Sequence, residues 1–379
     1  MASVKDVTNV WKNIREVDLR PIREAALKPF NVAIAGAPGS GRHTLAGQMR
    51  VDPSRPMMQT QTPLVIAGLD QPERLEGADL LILMIDATSP DTSKEQDLLR
   101  AWSDAGRTGL VFLNKVDLIA DGSVLHDWAA WKGKNLVYAS AIDSSSLMKN
   151  FVPVVLDMHP ERMLPLARQF PLFRAPVAQQ TISETCFSNA AYSFSSGLAG
   201  IVPALIVPMN ISDMVVLSKA QAFLVYKLGL AFGFSTVWRD YLAEFGGIIG
   251  GGFMWRQLAR QLVGLIPVWG IVPKVGVAYA GTYVVGHAVL KWYLTGRHIS
   301  PQQMREFYLQ AFEKGKALGR RLLKKTPRPR LFRRRQARLN PPGGLKPCPH
   351  CSKPNAEDAA FCQYCGKDIL PEQLESPKS

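Results

Sequence analysis

Five short apolar runs, separated by segments long enough for a helix, most constrain the fold of this chain. They begin near residues 31, 64, 80, 109 and 136. The run from Leu80 to Ile85 is continuously apolar, as expected for a strand covered on both faces of a parallel sheet. Strands that alternate with helices form βαβ units. The sequence therefore predicts a doubly wound α/β domain over residues 30–165.

A glycine-rich segment follows the first predicted strand and precedes a predicted helix from Thr44 to about Arg50. Its glycines at positions 36 and 41 have the spacing of a phosphate-binding P-loop, in which backbone N–H groups and the helix dipole converge on a phosphate. An ordinary glycine-rich turn is the alternative. The predicted phosphate-binding residues are Gly36, Gly39, Ser40, Gly41, Arg42 and Thr44.

An Asn-Lys-x-Asp motif, formed by Asn114, Lys115 and Asp117, follows the fourth predicted strand. The carboxylate can accept two parallel hydrogen bonds from the guanine N1–H and 2-amino groups, a pairing that adenine cannot make. Asn114 offers a donor to the base, and the Lys115 stem can lie over the purine. Ser140 and Ala141 follow the fifth strand, where the backbone would contact guanine O6. The motif predicts a guanine site.

The elements that GTP hydrolysis requires are altered. Arg42 replaces the phosphate-contacting lysine of a P-loop, and His43 replaces the hydroxyl residue that holds Mg²⁺. Gly68 could contact a γ-phosphate, but Val65 stands where a D-x-x-G motif has its aspartate. Neither Thr60 nor Thr62 is marked as a switch threonine. The sequence predicts binding of GTP or GDP with slow or absent hydrolysis, and Mg²⁺ without its usual ligands.

Residues 30–160 resemble the Era-like branch of the translation-factor-related GTPases. The resemblance rests on the loop 36–44 and on the Asn-Lys-x-Asp motif. It implies a P-loop GTPase-like doubly wound sheet with phosphate binding at that loop. It also implies guanine recognition by Asn114, Lys115 and Asp117, with base contacts at Ser140 and Ala141.

The middle of the chain is unusually apolar. No charged residue lies between Glu184 and Asp213, and only Lys274 is charged between Arg260 and Lys291. A bilayer span needs about 20 apolar residues, but prolines and glycines interrupt both stretches. The composition is consistent with membrane insertion or docking, and equally with a soluble bundle of apolar helices.

Segments 209–213, 265–270 and 280–288 resemble domain of unknown function 697. The resemblance extends through most of residues 185–297. It implies an all-α, membrane-associating domain, here residues 176–312, which follows an Era-like GTPase in bacteria. The implied location is the cytoplasmic face of the membrane, peripheral or integral. No catalytic residue is implied, and His287 is predicted to be a packed side chain.

A basic block follows. Residues 314–346 contain 13 Lys or Arg residues and no Asp or Glu, and the whole chain has a net charge of +14. The block is predicted to be helical to about Lys325 and an extended linker beyond it, and the linker as a whole is placed at 313–346. Anionic lipid headgroups would attract it by on the order of 1 kcal/mol per basic residue. Nucleic-acid phosphates would also attract it, and a solvated linker without a partner is the third interpretation.

Four of the five cysteines form a C-x₂-C…C-x₂-C array in residues 347–370. This spacing can close a tetrahedral thiolate shell around Zn²⁺, and so small a segment would depend on the metal for folding. Two disulfides are the alternative, disfavoured because no secretory signal is visible. The segment resembles bacterial zinc-ribbon tails. Cys186 is predicted to be a buried thiol and His350 not to be a ligand. The predicted ligands are Cys348, Cys351, Cys362 and Cys365.

Residues 1–29 are charged and amphipathic and are predicted to form a helix that packs on the α/β domain. The combined hypothesis is a guanine-nucleotide-binding, membrane-associated regulatory protein with weak or absent GTP hydrolysis. The alternative is a non-enzymatic pseudo-GTPase adaptor. Such an adaptor would recruit protein or nucleic acid through the basic linker and the zinc ribbon.

Overall fold

A computed structural model describes most of the chain. Its described residues are 18–89, 91–107, 109–119, 131, 135–199, 211–238, 240–241, 271–325 and 345–356, together with Cys362, Cys365 and Lys367. Most of the predicted N-terminal helix, part of each long apolar stretch and most of the predicted extended linker lie outside these residues. The chain divides into two compact units, residues 1–323 and 324–379.

The first unit contains a five-stranded parallel sheet. Its strands, in chain order, are β1 (Val32–Gly36), β4 (Val65–Ala67), β5 (Leu80–Asp86), β6 (Gly109–Asn114) and β7 (Asn135–Tyr138). Their spatial order is β4-β1-β5-β6-β7. The chain leaves β1 toward one neighbour and later returns to the other, so the strand order reverses at the carboxyl end of β1. Ligands of open α/β sheets bind at such a switch point.

Both faces of the sheet are covered, which explains the continuous apolar runs. Ile34, Met84 and Phe112 contribute to the core on one face, and Ala35, Leu83 and Val111 to the core on the other. Since successive side chains of a strand point to opposite faces, the interior positions of these strands are apolar, and the polar residues lie at the strand ends. The predicted five strands and α/β architecture are confirmed.

Helices surround the sheet and fill its crossovers. They are α1 (Arg20–Leu27), α2 (Arg42–Met49), α3 (Ser93–Asp104), α4 (Ser144–Ser146), α5 (Val152–Met158) and α6 (Met163–Gln169). A π-helical turn, Leu147–Phe151, joins α4 to α5, and single 3₁₀ turns cover Pro72–Leu75, Val116–Leu118, Pro160–Arg162 and Pro171–Phe173.

A helical region follows without a break in the core. It contains α7 (Arg174–Ala199), α8 (Ile211–Ala231), α9 (Ile271–Thr295) and α10 (Pro301–Lys325). Buried side chains of α7, α8 and α9 belong to the same apolar cluster as one face of the sheet. The α/β part and these helices therefore share one core.

Close helix contacts depend on small residues. A Cβ atom on Gly286 of α9 would lie 2.7 Å from Ile182 Cγ1 of α7, and one on Gly276 would lie 2.8 Å from Phe312 of α10. Between α7 and α9, the buried Asn189 amide donates to the Thr282 hydroxyl at 2.8 Å. These contacts fix the register of helices whose surfaces are otherwise apolar.

The helical region also contains the predicted buried groups. Cys186 is fully buried, and burial raises the pKa of its thiol to about 12. His287 stacks on Tyr283 with ring centroids 3.9 Å apart, and burial lowers its pKa. Both predictions are confirmed. Among the described residues, no helix combines the length and the apolar character that a membrane span requires.

The second unit contains a small antiparallel hairpin of β8 (Leu345–Pro347) and β9 (Pro354–Ala356). The turn between these strands carries the first pair of cysteines. Ser352 adopts a left-handed conformation there, with φ of 59°. Its N–H donates to the carbonyl of Cys348 at 2.8 Å, which closes the turn.

Candidate nucleotide site and metal centre

The phosphate loop joins β1 to α2 at the switch point. Gly39 and Gly41 have φ of 82° and 98°, a left-handed backbone that glycine adopts without steric cost. Ser40 between them is 1% exposed, and its hydroxyl has no hydrogen-bond partner in the described part of the chain. A Cβ on Gly36 would lie 2.8 Å from that hydroxyl, so Ser40 Oγ lies close to the first glycine of the loop. The first N–H groups of α2 also lack intrahelical acceptors. The loop is a candidate anion site.

Asn114 ties this loop to the other side of the candidate site. Its Nδ2 donates to the Ser40 carbonyl at 2.8 Å, and its Oδ1 accepts from the Ala141 N–H at 2.8 Å. Asn114 is 5% exposed. The Asn114 side chain also closes over Gly41, where a Cβ atom would collide with Nδ2. The sequence suggested a contact with the base. In this structure the nitrogen and the oxygen of the Asn114 side-chain amide hold two loops together.

Lys115 has φ of 63° and forms an ion pair with Asp86 at the end of β5. Burial alone would raise the pKa of the Asp86 carboxyl, but hydrogen bonds from Lys115 and Thr88 outweigh it and leave the pKa below its usual value. The pair fixes the lysine stem beside the carboxyl end of the sheet. Sequence reasoning missed Asp86, although its place after an apolar strand was a usable signal.

Asp117 lies in the 3₁₀ turn Val116–Leu118 and is exposed. Its carboxylate bonds to none of the described residues. Ser140 and Ala141 are buried at the end of β7, and the Ser146 hydroxyl accepts from the Ser140 N–H at 3.2 Å. The predicted base-contacting residues therefore surround one end of the sheet.

The residues predicted to contact phosphate lie at the same end of the sheet, around the phosphate loop, and they differ in exposure and in hydrogen bonding. Arg42 donates from Nη1 to the carbonyl of Ala67, the last residue of β4. His43 and Thr44 are exposed on the first turn of α2. Gly68 follows Ala67 directly, and pairing of Ala35 with Ala67 places it beside the start of the phosphate loop. The loop, Arg42 and Gly68 thus lie together.

A separate two-stranded hairpin, β2 (Val51–Asp52) and β3 (Arg55–Gln59), occupies the segment after α2. Arg55 donates to the carbonyls of Tyr293 and Leu294 at 2.6 and 2.7 Å, and so caps the end of α9. The Thr62 hydroxyl donates to the Gln169 carbonyl and lies 3.1 Å from the Thr60 hydroxyl. The hydroxyls of both threonines are hydrogen-bonded to protein groups here. The segment between phosphate loop and β4 is therefore attached to the helical region.

The four cysteines of the second unit form a candidate metal centre. Their Sγ atoms all lie within 4.8 Å of one another. Cys348 and Cys365 are 3.8 Å apart at sulfur, and Cys351 and Cys362 are 3.5 Å apart. A tetrahedral Zn²⁺ with Zn–S distances near 2.3 Å requires S–S edges of about 3.8 Å. The donor set and its dimensions fit zinc.

Two groups near the sulfurs support this arrangement. The backbone N–H of His350 donates to Cys348 Sγ at 3.3 Å, and the buried Asn355 amide donates to Cys362 Sγ at 3.4 Å. Such hydrogen bonds orient metal ligands and stabilise thiolate charge. The His350 side chain is exposed, in agreement with the prediction that it is not a ligand. When bound, zinc would supply folding free energy to this unit and no catalysis, because protein sulfur fills all four positions.

Comparison with known proteins identifies the C-terminal segment. Residues 348–369 match the zinc-ribbon domain family, so the predicted zinc ribbon is confirmed. A curated relative, Magnetosome membrane protein 22 of Magnetospirillum gryphiswaldense, is 35% identical over 129 residues. The similar region is 31% of this chain and 66% of the relative, slightly less than two thirds of that protein's length.

Proposed function

We propose that this protein binds a guanine nucleotide at the carboxyl end of its parallel sheet, as a P-loop GTPase-like domain with weak or absent hydrolysis. The observation that carries the proposal is the Asn114 bridge, which holds the phosphate loop and the Ala141 loop at the two ends of one site. An unpartnered Ser40 hydroxyl lies at the phosphate end, and the exposed Asp117 carboxylate lies at the base end.

Weak hydrolysis follows from the same residues. A transferred phosphate needs a metal ion and an oriented water. His43 and Val65 supply neither a hydroxyl nor a carboxylate at the two positions where Mg²⁺ is held in such sites. The proposed role is therefore regulatory: nucleotide occupancy alters the contacts of the helical region, to which the hairpin of β2 and β3 is joined through Arg55.

Replacing Asp117 with asparagine should test the guanine assignment. The amide nitrogen of asparagine cannot accept a hydrogen bond from guanine N1–H or the 2-amino group, whereas it can donate to the 2-oxo group of xanthine. We expect GDP affinity to fall about 10- to 100-fold and xanthosine diphosphate to bind the variant better than the parent. Calorimetric titration of the full chain would measure both.

An Asp97→Asn variant is the matched control, since Asp97 is an exposed carboxylate on α3. It should bind GDP as the parent does. Equal affinities of the parent for GDP and ADP would contradict the guanine proposal, as would D117N with unchanged affinity for GDP.

Association with a membrane surface is the second part of the proposal. The name of the relative describes a membrane protein, although the similar region covers only part of each chain. In this chain, α10 buries one face, which includes Tyr308 and Gly315, and exposes Lys314, Arg320 and Arg321. No carboxylate follows Glu313 in the helix. A helix held by its apolar face and basic on the other suits anionic headgroups.

Reversing two of these charges should weaken membrane binding. We expect Arg320→Glu with Arg321→Glu to reduce association with vesicles of phosphatidylcholine and phosphatidylglycerol on the order of 30-fold. Flotation with vesicles of phosphatidylcholine alone measures the binding that does not depend on anionic headgroups. The control, Lys94→Glu with Arg100→Glu, changes net charge equally on the exposed side of α3. Equal losses in both variants would contradict a specific role for α10, and RNA binding without vesicle binding would favour the nucleic-acid alternative.

A further inference from the structure

We infer that the site selects a nucleoside diphosphate over a triphosphate and binds it without Mg²⁺. This inference rests on the proposed guanine-nucleotide function and concerns the end of the site where a third phosphate would lie. Gly68, Asp70 and Gln71 bound that end of the site. Three observations there point in one direction.

The backbone N–H and carbonyl of Gly68 already have hydrogen-bond partners within the protein. Strand β4 pairs with β1 so that Ala67 lies opposite Ala35, which places Gly68 beside the first glycine of the phosphate loop. The Gly68 N–H is directed at Gln71 Oε1 at 3.5 Å, and Gln71 Oε1 also accepts from Arg74 at 3.0 Å. The Gln71 N–H in turn donates to the Gly68 carbonyl at 3.4 Å. This turn directs the Gly68 N–H at the Gln71 side chain, so that N–H is not free for a terminal phosphate.

A carboxylate lies against the same glycine. A Cβ atom on Gly68 would lie 3.5 Å from Asp70 Cγ and closer still to Oδ1. Asp70 is exposed and forms no ion pair with any described residue. Like charges a few ångströms apart repel even in water. A terminal phosphate, which adds about one negative charge to the nucleotide, would approach this carboxylate.

Little positive charge is available to offset that repulsion. Arg42 is the cation of the phosphate loop, and its Nη1 is bonded to the Ala67 carbonyl. Lys115 is paired with Asp86 at the base end. The two residues that would hold a metal ion between the second and third phosphates are replaced by His43 and Val65. The loop amides and the Ser40 hydroxyl remain for two phosphates, whereas a third phosphate would meet the Asp70 carboxylate without a cation beside it.

The experiment compares GDP and GTP on the full chain, with fluorescent N-methylanthraniloyl derivatives, in EDTA and in excess Mg²⁺. We expect GDP to bind on the order of tenfold or more tightly than GTP, with the GDP affinity unchanged by Mg²⁺. Asp70→Asn should raise GTP affinity severalfold and leave GDP affinity as it is. Asp97→Asn, an exposed carboxylate on α3, should change neither.

The outcomes separate the two proposals. Binding of neither nucleotide by the folded parent would remove the proposed function itself. Binding of GDP and GTP with equal affinity, or GTP binding that tightens with Mg²⁺ beyond GDP, would keep the guanine site and overturn the diphosphate inference. A GDP preference that persists unchanged in D70N would also overturn it, because the Asp70 carboxylate is the element that repels the third phosphate.

Discussion

A Cys362→Ser variant is expected to lose its zinc and unfold residues 345–369, with the rest of the chain intact. Cys362 Sγ is buried, lies 3.5 Å from Cys351 Sγ and accepts from the Asn355 amide. The described part of the second unit has two three-residue strands and a small buried cluster made of cysteines. Zinc binding contributes about 10 kcal/mol or more to the folding of such segments, far more than this core can replace.

Two measurements check this expectation. Metal analysis of the purified full chain should find one zinc per chain in the parent and much less in C362S, and limited proteolysis should cleave the variant within the ribbon. A His350→Ala variant is the matched control: it changes an exposed side chain inside the first Cys-x₂-Cys pair and should keep its zinc. Two disulfides in the non-reduced parent, in place of four zinc-bound thiolates, would contradict the metal assignment.

The parts of the fold that the sequence predicted are those with a local signal. Leu80 to Ile85 is a continuous apolar run because both faces of that strand are covered, and that condition is visible in six consecutive residues. The cysteine spacing is equally local. The glycines of the phosphate loop were found for the same reason, since positions 39 and 41 require left-handed backbone.

What the sequence did not reveal depends on contacts distant in the chain. The hairpin of β2 and β3 is attached to α9 by Arg55, whose acceptors lie more than two hundred residues away. The core shared by the sheet and the helical region is another such property, since amphipathic patterns do not say which element covers which. Asp70 is inconspicuous in sequence, and only the turn after β4 brings its carboxylate against Gly68.

Asn114 illustrates both sides of this comparison. The motif that contains it was evident from sequence, and its contact with the base stays a prediction, whereas its bonds to two backbone groups were not foreseen. Its amide joins the Ser40 carbonyl to the Ala141 N–H, two backbone groups 101 residues apart in the chain. The proposed guanine site therefore depends on Asn114 for its shape, whatever contact Asn114 also makes with a ligand.

An Asn114→Ala substitution should consequently damage stability and nucleotide binding together. It leaves two buried backbone groups without partners, each at a cost of about 1–3 kcal/mol, so we expect the free energy of unfolding to fall by about 2–6 kcal/mol. It also releases the phosphate loop from the base end, and GDP affinity should drop at least about tenfold. Urea denaturation and nucleotide titration of the folded variant measure the two effects.

Asn135→Ala provides the comparison. Asn135 begins β7 at the opposite end of the sheet, and among the described residues its side chain makes one hydrogen bond, from Nδ2 to the Gly109 carbonyl at 3.3 Å. Its loss should cost less than about 1 kcal/mol and leave GDP affinity unchanged. Equal destabilisation by the two variants would show that the Asn114 bridge is unimportant to the fold. An N114A protein that binds GDP like the parent would show that the two loops form the site without it, and the proposal built on that bridge would then be wrong.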